Sequence, residues 1–147
     1  MKIICKNKEA FFNFFVEERF EAGIVLTDTE VKSLRVGKAN LVDAYARIKN
    51  GEIFLLKANI SPYPPAAANN HNPTRERKLL LKQREIHELT HKLEAQGCTL
   101  IPLTLYFKGN LCKVELGLCK GKKKHDKRSE MKKRDTNREI SRALKHR

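Results

Sequence analysis

This sequence predicts a mainly β fold of the α+β kind, and three observations carry the prediction. The spacing of apolar residues changes from a helical period to strict alternation near residue 43. Two turn dipeptides, Asn50-Gly51 and Gly109-Asn110, each lie between alternating runs, as in a tight β-hairpin. The helical stretches are short, so they serve as connections and covers rather than as a bundle.

In chain order, "KEAFFNFFVEERF" places Phe11, Phe14 and Phe15 at helical spacing, which predicts a short amphipathic helix with an aromatic, core-facing side. The overlapping "ERFEAGIVL" predicts a strand. It leads into "LTDTEVKSLRVG", a second helix with Thr27 as cap, Glu30 completing a capping box, Leu26 and Val31 as a hydrophobic staple, and Gly37 as the terminator. "DAYARIKNGEIFLLKANI" is then a hairpin. The segment "SPYPPAAANNHNPTRER" holds four of the five prolines and has no period, so a mobile loop is expected. Next come an apolar strand, "KLLL", and a helix, "QREIHELTHKLEAQG", with Ile86, Leu89 and Leu93 on one face and Gly97 at its end. The second hairpin is "TLIPLTLYFKGNLCKVELGLCKG", whose returning strand turns Cys112, Val114, Leu116 and Leu118 inward and Leu111, Lys113, Glu115 and Gly117 outward. Antiparallel strands with short helices between them make a small β-barrel or α+β domain, a group that includes the oligonucleotide-binding barrels.

Charge is unevenly placed. The 147 residues carry a net +14. Residues 1–119 hold 18 basic and 13 acidic side chains, against 13 and 4 in residues 120–147, which divides the chain into a folded domain and a basic tail. Such a surplus favours a polyanionic partner, above all nucleic acid, because binding phosphates releases condensed counterions. The tail lacks the aromatic and leucine face of a membrane-surface helix, no apolar run approaches the length of a membrane span, and "MKIICKNKEAFF" lacks a signal peptide's apolar stretch. A soluble, cytoplasmic protein is expected. Cys5, Cys98, Cys112 and Cys119 show no C-x-x-C pairing, so reduced thiols are expected and neither a zinc ribbon nor a disulfide framework is indicated.

"HELTH", residues 87–91, fits the metalloprotease signature H-E-x-x-H. On a helix of 100° per residue, His87 lies about 120° and His91 about 160° from the apolar stripe, so both face solvent. No third ligand follows at the expected spacing, and the match is read as chance on a polar helix face. Phosphate-binding glycine loops and nucleophile elbows are absent from the sequence, which favours a binding module over an enzyme. Arg35, Lys38, Arg75, Arg77, Lys78, Lys82 and Lys113 are candidate phosphate contacts, with Tyr45, Tyr106 and Phe107 as candidate stacking partners.

The motifs "FEAGIVL", "TEVKSLRVGKANLVDAYARIKNGE", "NPTRERKLLLKQREI" and "LYFKGNLCKVELGLCKGKKKHDKR", followed by a basic C-terminal stretch, occur in one order through nearly the whole chain. With them the sequence resembles the SsrA-binding protein (SmpB) family of bacterial trans-translation. The resemblance implies an oligonucleotide-binding-like antiparallel β-barrel over residues 1–119, with about three short helices. It implies a tail over residues 120–147 that is disordered alone and helical on the ribosome. It also implies a function: binding the tRNA-like domain of tmRNA and delivering its alanylated form to stalled ribosomes, for peptide tagging and ribosome release.

Carried over by motif, the tmRNA contacts are Asn7, Glu21, Leu80 and Lys113. The tail motif that enters the decoding centre and messenger channel is Gly121, Lys122, Lys123, His125, Asp126, Lys127 and Arg128. The implied partners are tmRNA, small-subunit rRNA of the stalled ribosome and, through alanyl-tmRNA, elongation factor Tu, with the protein acting as a monomer without catalysis, cofactor or metal. The competing class is a general structured-RNA or ribosome-associated binder on the same barrel, distinguished by its lack of preference for tmRNA over other RNA.

Overall fold

The computed structural model describes residues 1–121, and the expectations for the tail helix and for Lys122, Lys123, His125, Asp126, Lys127 and Arg128 lie outside the described residues. Along the chain run β1 (Lys2–Lys6), α1 (Lys8–Asn13), β2 (Phe14–Ile24), α2 (Asp28–Arg35), β3 (Ala39–Asn40), β4 (Tyr45–Lys49), β5 (Glu52–Leu56) and β6 (Asn59–Ile60). A 3-10 helix (Pro64–Asn69), β7 (Arg77–Leu80), α3 (Gln83–Gln96), β8 (Thr99–Lys108) and β9 (Leu111–Gly121) complete it. The seven-stranded sheet runs β1-β8-β4-β5-β7-β2-β9, and a further β8–β9 pairing closes it into a ring. Its strands pair antiparallel throughout. The ring is uneven: β4 meets β8 only at Ala46 and Leu100, whereas β2 and β8 lie along most of β9.

Both predicted hairpins form. Asn50 and Gly51 take φ of 53° and 75°, the left-handed pair that matches strand twist, and hold Lys49 opposite Glu52. Gly109, with φ 63°, does the same for Lys108 and Leu111. The α2 capping box also forms, with the Thr27 N–H donating to Glu30 Oε1 at 2.8 Å. At the other end of α2, the Gly37 N–H donates to Leu34 O at 3.0 Å.

The inner faces of the strands build the main core, with Ala22, Ile53, Leu55, Leu79, Leu105, Val114 and Leu116 among its buried members. Leu34 of α2 and Leu89 of α3 complete it. A second, smaller core lies where Ala10 of α1 packs with Ile101, Leu103 and Cys119. Gly117 belongs there: a Cβ at that position would come within 2.9 Å of Leu103 Cδ1. The outward row of β9 is thus covered at this end, against the expectation for Gly117, and stays open only from Glu115 toward the hairpin turn.

Three more expectations are corrected. The aromatic run does not continue as a helix: α1 stops at Asn13, and Phe14 starts β2 opposite Gly121, because pairing with β9 outweighs a local period. Phe11 and Phe15 remain 38% and 48% exposed instead of joining the core. β1, unpredicted, is held by β8, and β9 runs to Gly121, where the predicted hairpin segment also ends.

The third correction is the proline-rich loop, which is built into the fold. Tyr63 and Asn70 exchange two hydrogen bonds of 2.7 Å. His71 bridges Thr29 Oγ1 and Ile60 O, both at 2.8 Å. Beyond it, Glu30 accepts from Arg75 Nη2 at 2.7 Å and from Arg77 Nε, while Arg77 Nη1 and Nη2 donate to Ala58 O at 2.8 Å and Pro73 O at 3.0 Å. Burial alone would raise the Glu30 carboxyl, yet hydrogen bonds from Arg75, the Thr27 N–H and Arg77 override it and hold the group down at about 2. Arg77 is fully buried, so it serves this cluster and is no phosphate contact.

Candidate nucleic-acid interface

Four adjacent strands, β7, β2, β9 and β8, carry one row of residues in register. Leu80 stands opposite Gly23, Gly23 opposite Lys113, and Lys113 opposite Tyr106. Glu21, two residues before Gly23, projects from the same outer face, since Ala22 between them is buried in the core. Gly23 leaves room for its neighbour: a Cβ there would lie 3.3 Å from Leu80 Cβ. Leu80 consequently lies over the strand while remaining 53% exposed. The register therefore gathers Glu21, Leu80 and Lys113 on one open face.

Tyr106 shapes that face. It reaches across β9, and its hydroxyl donates to Glu21 Oε2, which leaves the residue only 5% exposed. Lys108 Nζ stands 3.6 Å from Glu21 Oε1. Tyr106's hydrogen bond, and after it the charges of Lys108 and Lys113, overcome desolvation and hold the Glu21 carboxyl below its ordinary range. Burial, and then the bond to this anion, push the Tyr106 phenol up. The result is a fixed carboxylate with free lone pairs beside two lysines: an acceptor for base or sugar donors next to cations for phosphates. Nearby, Arg19 Nη1 lies 3.2 Å from Glu115 Oε1, and its guanidinium sits 5.6 Å from the centroid of the Phe11 ring.

Asn7 is not on this face. It is 5% exposed, and its side-chain amide donates to Pro102 O at 3.0 Å and Leu41 O at 3.3 Å, while Oδ1 caps α1 by accepting from the Ala10 N–H at 3.3 Å. Its polar atoms are committed inside the protein. Of the other candidate cations, Arg35, Lys38, Lys78 and Lys82 are exposed, and Arg35 lines an open cleft of about 400 Å³ with Lys2 and Phe107. Tyr45 is half-buried beside the second core, with Lys57 Nζ 5.8 Å from its ring centroid. Sequence reasoning missed Arg19 and Lys108. Alternation could have found Lys108, two residues beyond Tyr106 on the same strand.

His87 and His91 are exposed on α3, and Glu88 is paired with Lys92 at 2.8 Å. Among the described residues no group of three His, Cys, Asp or Glu side chains could hold a metal ion. The four cysteines are free, and burial pushes the thiols of Cys5 and Cys119 up to about 11 and that of Cys112 to about 12. Among the described residues no helix is long and apolar enough to cross a membrane.

A family model described as "SmpB protein" matches residues 4–146. The chain belongs to the SmpB family. The SsrA-binding protein of Geobacter sulfurreducens is 58% identical over 98% of this chain and 94% of the relative. That of Carboxydothermus hydrogenoformans is 54% identical over 99% and 98%. A solved structure described as "tmRNA-SmpB: a journey to the center of the bacterial ribosome" matches with a TM-score of 0.69 at 43% identity, covering 82% of this SmpB-family chain and 85% of the other. The closed antiparallel ring thus matches this solved relative, as the family resemblance implies, where the hairpins alone left a small β-barrel or an α+β domain open.

Proposed function

We propose that this SmpB-family protein binds the tRNA-like domain of tmRNA through the Glu21, Leu80 and Lys113 face and serves trans-translation on stalled ribosomes. The observation that carries the reading is the register that sets those three residues on one outer face across β2, β7 and β9, with Glu21 and Leu80 exposed and Lys113 half-buried. Lys113 supplies phosphate attraction, Leu80 offers an apolar surface to a sugar or base, and Glu21 accepts from a fixed donor, so that charge attracts and geometry selects. Asn7 acts indirectly, by pinning α1 to β8 and the turn at Leu41. No chemical step is assigned to the protein. It acts in the cytoplasm as a monomer, meets elongation factor Tu through alanyl-tmRNA, and divides into a tmRNA-binding ring and a basic tail beyond it.

The tail's share is proposed from its sequence. Gly121 ends β9, and behind it stand Lys122, Lys123, His125, Asp126, Lys127 and Arg128, a cationic run suited to the phosphates of an empty decoding centre and messenger channel. The test is paired: Asp126, Lys127 and Arg128 are replaced together by alanine, and a tmRNA gel-shift titration is run beside a peptide-tagging assay on ribosomes stalled at a truncated message. Near-normal tmRNA binding with tagging abolished is expected. Tagging at the unmodified rate would remove the tail from the account, and an equal loss of tmRNA affinity would move these residues onto the RNA-binding surface.

A further inference from the structure

We propose that His87 and His91 form a two-imidazole site on α3 for a divalent first-row transition ion. The pair sits one helical turn apart, at i and i+4, on the exposed side of the helix opposite Ile86 and Leu89. Their Nε2 atoms are 3.2 Å apart, with ring centroids at 4.6 Å and planes at 84°. With metal–nitrogen bonds of about 2.0–2.1 Å, two nitrogens on one ion stand about 2.9 Å apart at a right angle and about 3.4 Å apart at the tetrahedral angle. The observed separation falls between those limits, so an ion can take the place of the Nε2–Nε2 contact with no movement of the helix.

The chemistry of the donors selects the ion. Imidazole suits zinc, nickel and copper, and magnesium and calcium prefer oxygen. Because no third protein ligand stands by among the described residues, water completes the coordination shell. The Glu of the H-E-x-x-H run is engaged elsewhere: Glu88 is paired with Lys92, which also bonds Glu18. The site is accordingly a binding site without hydrolysis, and an ion held by both rings fastens successive turns of α3 together. It is independent of the RNA-binding reading.

The test uses the full chain and its His87→Ala, His91→Ala and doubly substituted forms, titrated with Ni²⁺ and with Zn²⁺. Calorimetry, thermal unfolding and histidine ring NMR are the readouts. The unsubstituted protein is expected to bind one ion per chain, to shift the ring signals of both histidines together, and to unfold at higher temperature with the ion present. Since the second donor binds intramolecularly, either single substitution should weaken the site about tenfold or more and abolish the thermal shift. Exposed positions tolerate these changes, so loss of binding is not loss of fold. Single variants that bind as tightly as the parent, or a double variant that keeps the site, would place the ion on other donors and overturn the proposal.

Discussion

Glu30 and Glu21 are both glutamates with cationic neighbours, and they do opposite work. The Glu30 side chain is fully buried between Arg75 and Arg77, and both its oxygens are committed to guanidinium groups and the Thr27 N–H. The Glu21 side chain is 42% exposed, held from one side by Tyr106 with Lys108 nearby. Depth decides the difference. A buried carboxylate must have its partners, and removing it strands charge in the interior, whereas an exposed one keeps capacity for a ligand. The first ties α2 to the segment entering β7; the second marks the face proposed for RNA.

The largest effect should come from Glu30→Ala, which leaves Arg77 buried without its counter-ion and should destabilise the fold by about 3–5 kcal/mol, read by urea unfolding. The same substitution should leave the tmRNA affinity of the folded fraction unchanged, and a matching loss of affinity would blur the contrast between the two glutamates. Acid offers a second probe. Glu30 is depressed from 4.5 to about 2, so its contribution is full above the unfolded value and fades as pH falls through the folded one. Stability between pH 4.5 and 2 should drop by a few kcal/mol more in the parent than in Glu30→Gln, as measured by urea midpoints across that range.

The two regions were not equally legible in the sequence. Lys113 could be placed outward because β9 alternates cleanly and begins at a Gly-Asn turn, and the α2 cap could be read because its signals lie within ten residues of each other. Local chemistry determined both. Arg77 looked like any arginine in a basic, proline-rich stretch, because its counter-ion is 47 positions away and only the fold brings the two together. Likewise β1 is a mostly exposed pentapeptide, "KIICK", whose strand state comes from β8, about a hundred residues later. The Phe-rich run fits both periods, and β9 decides between them at Phe14. The Tyr106–Glu21 bond was hidden for a different reason: it crosses over β9, and alternation says which way a side chain points but not how far it reaches.

On the exposed face the effects should be smaller and confined to RNA. Lys113→Ala should weaken tmRNA binding by about fivefold and reduce the salt slope by about one, with the urea midpoint unmoved. An unchanged slope would mean that Lys113 meets no phosphate.

The most direct measurement of the central claim is the ratio of affinities for tmRNA's tRNA-like domain and a control hairpin RNA, determined by titration for the parent and for Glu21→Gln. The amide keeps the shape of the carboxylate and an oxygen for the Tyr106 hydroxyl, so stability should fall by only about 1 kcal/mol, as a neutral hydrogen bond replaces a charged one. With a negative charge gone, binding to the control RNA should tighten slightly. Loss of an acceptor for a fixed donor should lower the preference for tmRNA by about fivefold, the worth of about one hydrogen bond. A preference equal to that of the parent would show that Glu21 selects nothing and would contradict the assignment of this face.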